Sequence, residues 1–226
     1  CNYYLSRVIG KLYFKNIMIN TIKIDKKERY QFREFVNKYK LVLNLNNVRT
    51  NRELAYYCCS YKVKSVMFKE KYNNLYFTCL LPTSLHSLTF GSWFNQELEI
   101  GVLPSSLHSL KFDWDFNQEL KIGVLPPSLH SLTFGICFNQ KLKIGVLPSS
   151  LHSLTFGYWF NQELKIGVLP TSLHSLTFGK CFDQVLKIGV LPSLHSLTFG
   201  WCFNQELDIK VLPTPLKLLK MNKEYK

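Results

Sequence analysis

No run of apolar residues in this sequence approaches the roughly 18 to 20 that a membrane-spanning helix needs. No charged-then-apolar leader with a small-residue cleavage site opens it either. A soluble protein of the cytoplasm, without a membrane partner, is the expectation. The seven cysteines are odd in number and contain no C-x-x-C pair and no metal-type spacing. That pattern argues against a disulfide framework or a zinc site, and for reduced, mostly packed thiols. A phosphate loop, a nucleophile elbow and a unique acid–base pair are also missing, so neither catalysis nor a cofactor is expected. The first residue is Cys1, not Met, which leads us to expect a preceding N-terminal piece.

What is present suffices for a sizeable core: 226 residues, 46% hydrophobic and 15% aromatic. The net charge of +13 would suggest an anionic partner if it were evenly spread. It is not. Residues 1–80 hold 16 Lys and Arg against 5 Asp and Glu, residues 81–211 hold 8 against 9, and residues 212–226 hold 4 against 1. Binding of nucleic acid or another anionic surface is therefore an alternative for the N-terminal region, where Lys11, Lys15, Lys23, Lys26, Lys27, Arg29 and Arg33 stand among aromatics. The rest of the chain gives it little support.

From Leu81 the chain repeats every 22 residues as L-P-x-S-L-H-S-L-T-F-G-x-x-F-N-Q-x-L-x-I-G-V, with units starting at Leu81, Leu103, Leu125, Leu147, Leu169 and Leu191; the sixth is one residue short after Pro192. A period in the twenties with L-x-x-L-x-F inside it is the mark of a leucine-rich-repeat type of solenoid. The alternation around Leu88 and Phe90 predicts a short strand, and stacked coils predict one parallel sheet. We expect Gly91 to allow a sharp turn after the strand, Pro82 to delay the ladder, and Phe94, Leu98, Ile100 and Val102 to complete the interior. Asn95 recurs as Asn117, Asn139, Asn161 and Asn204, with Asp183 in the fifth unit, as an amide column that can satisfy turn backbone groups of the next coil.

Shifted back by one period, Val63, Val66, Phe68, Tyr72, Asn73 and Leu81 fall on the same positions, a degenerate repeat over about 59–80. Leu216, Leu219 and Met221 repeat the spacing at the other end, so residues 212–226 are expected to form a capping strand and basic tail. Residues 1–58 read as a small α/β N-terminal cap. In it, Asp25 with Glu28 precedes a helical face of Phe32, Phe35, Val36 and Tyr39, and Thr50 with Glu53 precedes a short helix through Leu54, Tyr57 and Cys58. Leu41–Leu45 reads as a strand between them. The fold class is thus a β-rich solenoid, one elongated domain.

With F-N-Q-x-L following L-P-x-S-L-x-x-L-x-F-G, the units resemble FNIP repeats, a leucine-rich-repeat-like family of amoebae and their large DNA viruses, closely over 81–211 and loosely over 59–80. The name-giving Phe-Asn stands at Phe94-Asn95, while the Ile-Pro part reads differently here. The resemblance implies a protein-interaction module. Through the F-box found at the N-terminus of many members, it also implies substrate recognition for a cullin-type ubiquitin ligase by way of a Skp-type adaptor. Only residues 1–12 could be a remnant of such a box, so that role belongs to a longer parent. A viral source would place the chain in the host cytoplasm.

The six histidines, His86, His108, His130, His152, His174 and His195, share one repeat position and are expected to stack at strand spacing. No carboxylate or thiolate repeats beside them, which favours a polar position at the sheet margin over a metal or proton-sensing ladder. The serines and threonines around them read as solvated sheet surface. The lysine column Lys121, Lys143, Lys165 and Lys187 reads as a charged flank, since Glu97, Glu119 and Glu163 lie nearby. Units differ most just after the strand, at Ser92-Trp93, Trp114-Asp115, Ile136-Cys137, Tyr158-Trp159, Lys180-Cys181 and Trp201-Cys202. Exposed aromatics on a rigid scaffold make good interface anchors, so Trp93, Trp114, Tyr158, Trp159 and Trp201 are the candidate partner-binding residues. The competing reading is that they shield the edge of the next coil.

Overall fold

Five of the repeat coils carry a strand only three residues long, Ser-Leu-Thr, whose central leucine is buried and whose neighbours are half-buried. So short a strand cannot stand alone, and it is held by identical strands on either side. The computed structural model describes residues 17–18, 42–44, 64–68 and 81–221. In these, β1 (Ile17–Met18), β2 (Val42–Asn44), β3 (Ser65–Met67), β4 (Ser87–Thr89), β5 (Ser109–Lys111), β6 (Ser131–Thr133), β7 (Ser153–Thr155), β8 (Ser175–Thr177), β9 (Ser196–Thr198) and β10 (Leu218–Lys220) form one sheet. The order in space is the order in sequence, and every neighbouring pair is parallel.

The register follows the repeat: Leu88 pairs with Leu110 and Leu132 with Leu154. Leu43 of the expected strand pairs with Val66, and β1, which the sequence did not announce, pairs Ile17 with Leu43. Val66 and Phe68 of the degenerate unit are buried like Leu88 and Phe90. The two expected helices, and Val63, Tyr72 and Asn73, lie outside the described residues.

Inside the solenoid the phenylalanines form two joined columns. Within a coil Phe134 and Phe138 stack at 3.7 Å between ring centroids, and Phe138 lies 6.1 Å from Phe160 of the next coil. Burying each such ring contributes about 1.5–3 kcal/mol, so the core draws its stability from many equal contributions. Proline and serine close the approach to the strand: Leu107 N–H donates to the Pro104 carbonyl at 3.0 Å, and Ser128 Oγ donates to Leu107 O of the preceding coil at 2.7 Å. The sixth unit has lost one residue of this turn. There Leu194 N–H reaches back to Pro192 O at 2.7 Å, and the buried Nδ1 of His195 has no partner.

Two corners turn each coil: the first follows the strand at the expected glycine, and the second differs from expectation. At the first, the glycine column serves close approach. A Cβ on Gly157 would stand 1.6 Å from Gly135 O, and one on Gly179 would stand 1.7 Å from Gly157 O. A turn bond closes this corner from Phe138 N–H to Gly135 O (3.3 Å) and from Phe160 N–H to Gly157 O (3.3 Å). In the second coil Asp113 takes the glycine's place, its Oδ2 accepts from Ser92 Oγ at 2.6 Å, and Phe116 N–H makes no such turn bond. At the second corner Gly101, Gly123, Gly145, Gly167 and Gly189 have φ of 84 to 85°, a left-handed conformation that glycine alone adopts without strain. The isoleucine before each of these glycines faces outward. Ile100, expected in the interior, is 70% exposed, while Val124 and its later equivalents are buried.

Candidate functional site

The rim after the strand is fixed by its own backbone ladder. Cys137 N–H donates to Trp114 O at 2.9 Å, Trp159 N–H to Ile136 O at 3.0 Å, Cys181 N–H to Tyr158 O at 2.9 Å, and Cys202 N–H to Lys180 O at 2.9 Å. Side chains on this rim therefore occupy set positions in adjacent coils. Trp93, Trp114 and Trp159 are each 53% exposed and Trp201 is 59% exposed. Roughly half of each indole rests on the coil, which limits its motion, and the other half faces outward. Tyr158 is half-buried and meets Trp159 edge-on, with ring centroids 4.7 Å apart. Lys180 Nζ sits 5.2 Å from the Tyr158 ring, and its contact with the Tyr158 hydroxyl holds the ammonium above its ordinary range.

Three thiols share the rim with these aromatics. Burial, then the Asp115 carboxylate, pushes the Cys137 thiol up, and burial, then Cys202, does the same for Cys181. Raised thiols stay protonated at neutral pH and are poor nucleophiles. Cys202 is exposed, whereas Cys137 and Cys181 are half-buried.

The histidines stack as expected, with ring centroids 5.0 to 5.1 Å apart. In five of them Nδ1 lies against a serine carbonyl two residues earlier, for example His108 to Ser106 O at 2.7 Å. A carbonyl can only accept, so Nδ1 donates in these contacts, and the parallel rings leave their Nε2 atoms pointing in parallel, which does not converge on one ion. Among the described residues no three His, Cys, Asp or Glu side chains come together as metal ligands. No helix among them is long and apolar enough to cross a membrane.

The amide column behaves as read from the sequence. Asn139 N–H donates to Asn117 Oδ1 and Asn161 N–H to Asn139 Oδ1, both at 2.9 Å, and Asp183 accepts from Asn204 N–H at 2.9 Å. The column also binds glutamines: Gln162 Nε2 donates to Asn139 Oδ1 at 3.0 Å. The lysine flank pairs diagonally across coils, Lys121 with Glu97, Lys143 with Glu119 at 2.6 Å, and Lys187 with Glu163 at 2.9 Å. All of these side chains are at least half exposed, so the pairs contribute little to stability.

One surface was missed by sequence reading: the exposed isoleucines of the second corner. A glycine follows five of them, but Ile209, followed by Lys210, is 79% exposed as well, so no single neighbouring residue carried the signal.

A model of the FNIP repeat matches residues 72–113, 94–137, 116–159, 138–181, 160–202 and 182–224. Among solved structures, CroV588, described as a circular leucine-rich-repeat protein, is 40% identical to this chain with a TM-score of 0.69; the match covers 79% of this chain and 26% of that one. This chain thus spans about a quarter of the length of CroV588. No protein of curated function matches. The overlapping matches run from 72 to 224 in step with coils of a single parallel sheet, and by them the chain belongs to the FNIP repeat family, folded as a leucine-rich-repeat-like solenoid.

Proposed function

We propose that the repeat array is a non-catalytic protein-binding scaffold whose partner seats on the rim of Trp93, Trp114, Tyr158, Trp159 and Trp201. In a longer parent chain it would be the substrate-recognition arm of an F-box-type ubiquitin ligase receptor. The observation that carries the scaffold reading is the set of four indoles, each about half exposed, on a backbone ladder that fixes them. Such anchors bury much area and lose little freedom on binding. The ligase role draws its support from the family resemblance, in which an F-box engages a Skp-type adaptor and a cullin. The near balance of charge over residues 81–211 gives the array no electrostatic footprint for nucleic acid.

The test uses the chain and its Trp93→Ala, Trp114→Ala, Trp159→Ala and Trp201→Ala variants as bait in a lysate of its source cells. A protein recovered by the parent chain and lost about tenfold or more in the variants, with thermal melts within a few degrees, supports the rim. Recovery unchanged in all four, or unfolding of each, sinks it. A longer form that recovers no adaptor or cullin removes the ligase role and leaves the scaffold.

A further inference from the structure

The first corner of the coils carries three thiols, and the stacking decides which of them can meet. Cys137, Cys181 and Cys202 occupy one repeat position, the second residue after the corner glycine. Trp159 holds that position in the coil between Cys137 and Cys181, whereas Cys181 and Cys202 belong to adjacent coils. Neighbouring strands lie about 4.7–4.9 Å apart, inside the roughly 4.4 to 6.8 Å that a disulfide spans between Cα atoms. Two such steps are on the order of 9.5 Å, which is too far.

The backbone sets Cys181 and Cys202 side by side. Cys202 N–H donates to the carbonyl of Lys180, the residue before Cys181, at 2.9 Å. The two corners also approach closely. A Cβ on Gly200 would stand 2.6 Å from Lys180 Cα, against 3.0 Å from Gly179 to Tyr158 Cα and 3.2 Å from Gly157 to Ile136 Cα. Both thiols are free, with Cys202 exposed and Cys181 half-buried. Burial leads the rise of the Cys181 thiol, the Cys202 thiol adds to it by charge and by hydrogen bond, and the Lys180 ammonium opposes it. The pair thus joins an exposed thiol, open to an oxidant, to a shielded one beside it, with a cation near both that favours the thiolate.

We propose that Cys181 and Cys202 form a reversible oxidation site, at which hydrogen peroxide converts the two thiols to a disulfide that ties the fifth coil to the sixth. Cys202 gives up its proton and attacks one peroxide oxygen; the S–O bond forms as the O–O bond breaks, and the departing hydroxide takes up the proton as water. Cys181 then loses its proton and attacks the Cys202 sulfur. The S–S bond forms, the S–O bond breaks, and the hydroxyl leaves with that proton as a second water. The two sulfurs together lose two electrons, and the peroxide gains them. A thiol reductant reverses the bridge by exchange.

The sixth coil is the one that such a bridge would secure. It lacks one residue before its strand, and the buried Nδ1 of His195 has no partner there. The site needs no partner on the tryptophan rim, so it stands or falls independently of that reading.

The full chain, reduced and dilute, is treated with equimolar hydrogen peroxide, and the remaining thiols are alkylated before digestion with trypsin. Cleavage after Lys180, Lys187 and Lys210 leaves the two cysteines in separate peptides, 181–187 and 188–210, which appear joined in a mass spectrum only if they are bridged. The joined pair is expected, and its loss on treatment with dithiothreitol, while Cys137 is recovered alkylated. In the oxidised chain the Leu197 amide should exchange about tenfold more slowly than in the reduced chain, a difference that Cys181→Ser and Cys202→Ser should each abolish. The same repeat position holds Trp93, Asp115 and Trp159 in other coils, so serine there should not prevent folding. Alkylation of both cysteines after peroxide, sulfinic acid on Cys202 without a bridge, or bridging of either to Cys137 as often as to each other overturns the proposal. A bridge that leaves Leu197 exchange unchanged overturns the tie between the coils.

Discussion

Glycine recurs at two corners of every coil for unlike reasons, and substitution separates them. At Gly145 a side chain meets no atom closer than 3.8 Å, so Gly145→Ala is opposed only by the left-handed backbone, at a cost of about 1 kcal/mol. At Gly157 the same methyl would fall 1.6 Å from a carbonyl oxygen of the preceding coil. The second coil shows the available response, since with Asp113 in this column the turn bond to Phe116 is absent. Gly157→Ala should therefore open its own turn, lose the Phe160 bond and displace the rim, costing about 2–3 kcal/mol. Urea unfolding of the two variants checks the order; equal losses would mean that the coils separate more readily than their spacing indicates.

The amide column is the element that joins the far sides of the coils, and its chemistry is tolerant in one direction only. Asn139→Ala removes the acceptor for both Asn161 N–H and Gln162 Nε2, leaving partly buried donors unpaired, at about 1–3 kcal/mol. Asn139→Asp keeps that acceptor, as Asp183 does for Asn204 and Gln205, and should stay within about 0.5 kcal/mol of the parent. Thermal melts of the pair distinguish them, and an aspartate as harmful as the alanine would show that the amide's own donors matter. This column was legible in the sequence because a polar residue fixed at one repeat position must find its partner one coil away. The sheet, its register and the phenylalanine columns were legible for the same reason: period and alternation determine which residues stack. The direction of Ile100 was not, because hydrophobicity alone places a residue inside, whereas the backbone path at this corner leaves Ile100 and its equivalents outside, Ile209 before Lys210 included. Nor could the sequence tell the first-corner glycines from ordinary turn glycines, since the obstacle to a Cβ is the backbone of another coil. The placement of the tryptophans after the strand was readable, but not that each would be half covered.

Across the whole molecule, each strand pairs only with its neighbours in sequence, so stability is carried as a chain of nearly equal interfaces. Among the described coils, the central ones have two such interfaces and the coil of β10 has one. Its strand, Leu218–Lys220, is exposed at all three residues, with Leu219 38% exposed where Leu197 of the coil before is fully buried. The one-residue deletion before β9 also leaves His195 without the serine contact that holds the other rings. Both features loosen the same end. Hydrogen exchange should therefore be graded along the array: slowest for the amides of Leu132 and Leu154, faster for Leu197, and fastest for Leu218 and Leu219. A step of one interface worth about 1.4 kcal/mol corresponds to a tenfold change in opening constant, so the gradient from the sixth strand to the tenth should span well over tenfold. Uniform exchange from Leu132 to Leu219 would instead mean that the coils open as one cooperative unit. In that case the loss of a single interface at the end would not weaken the last coil, and the nearest-neighbour account of this solenoid would be wrong.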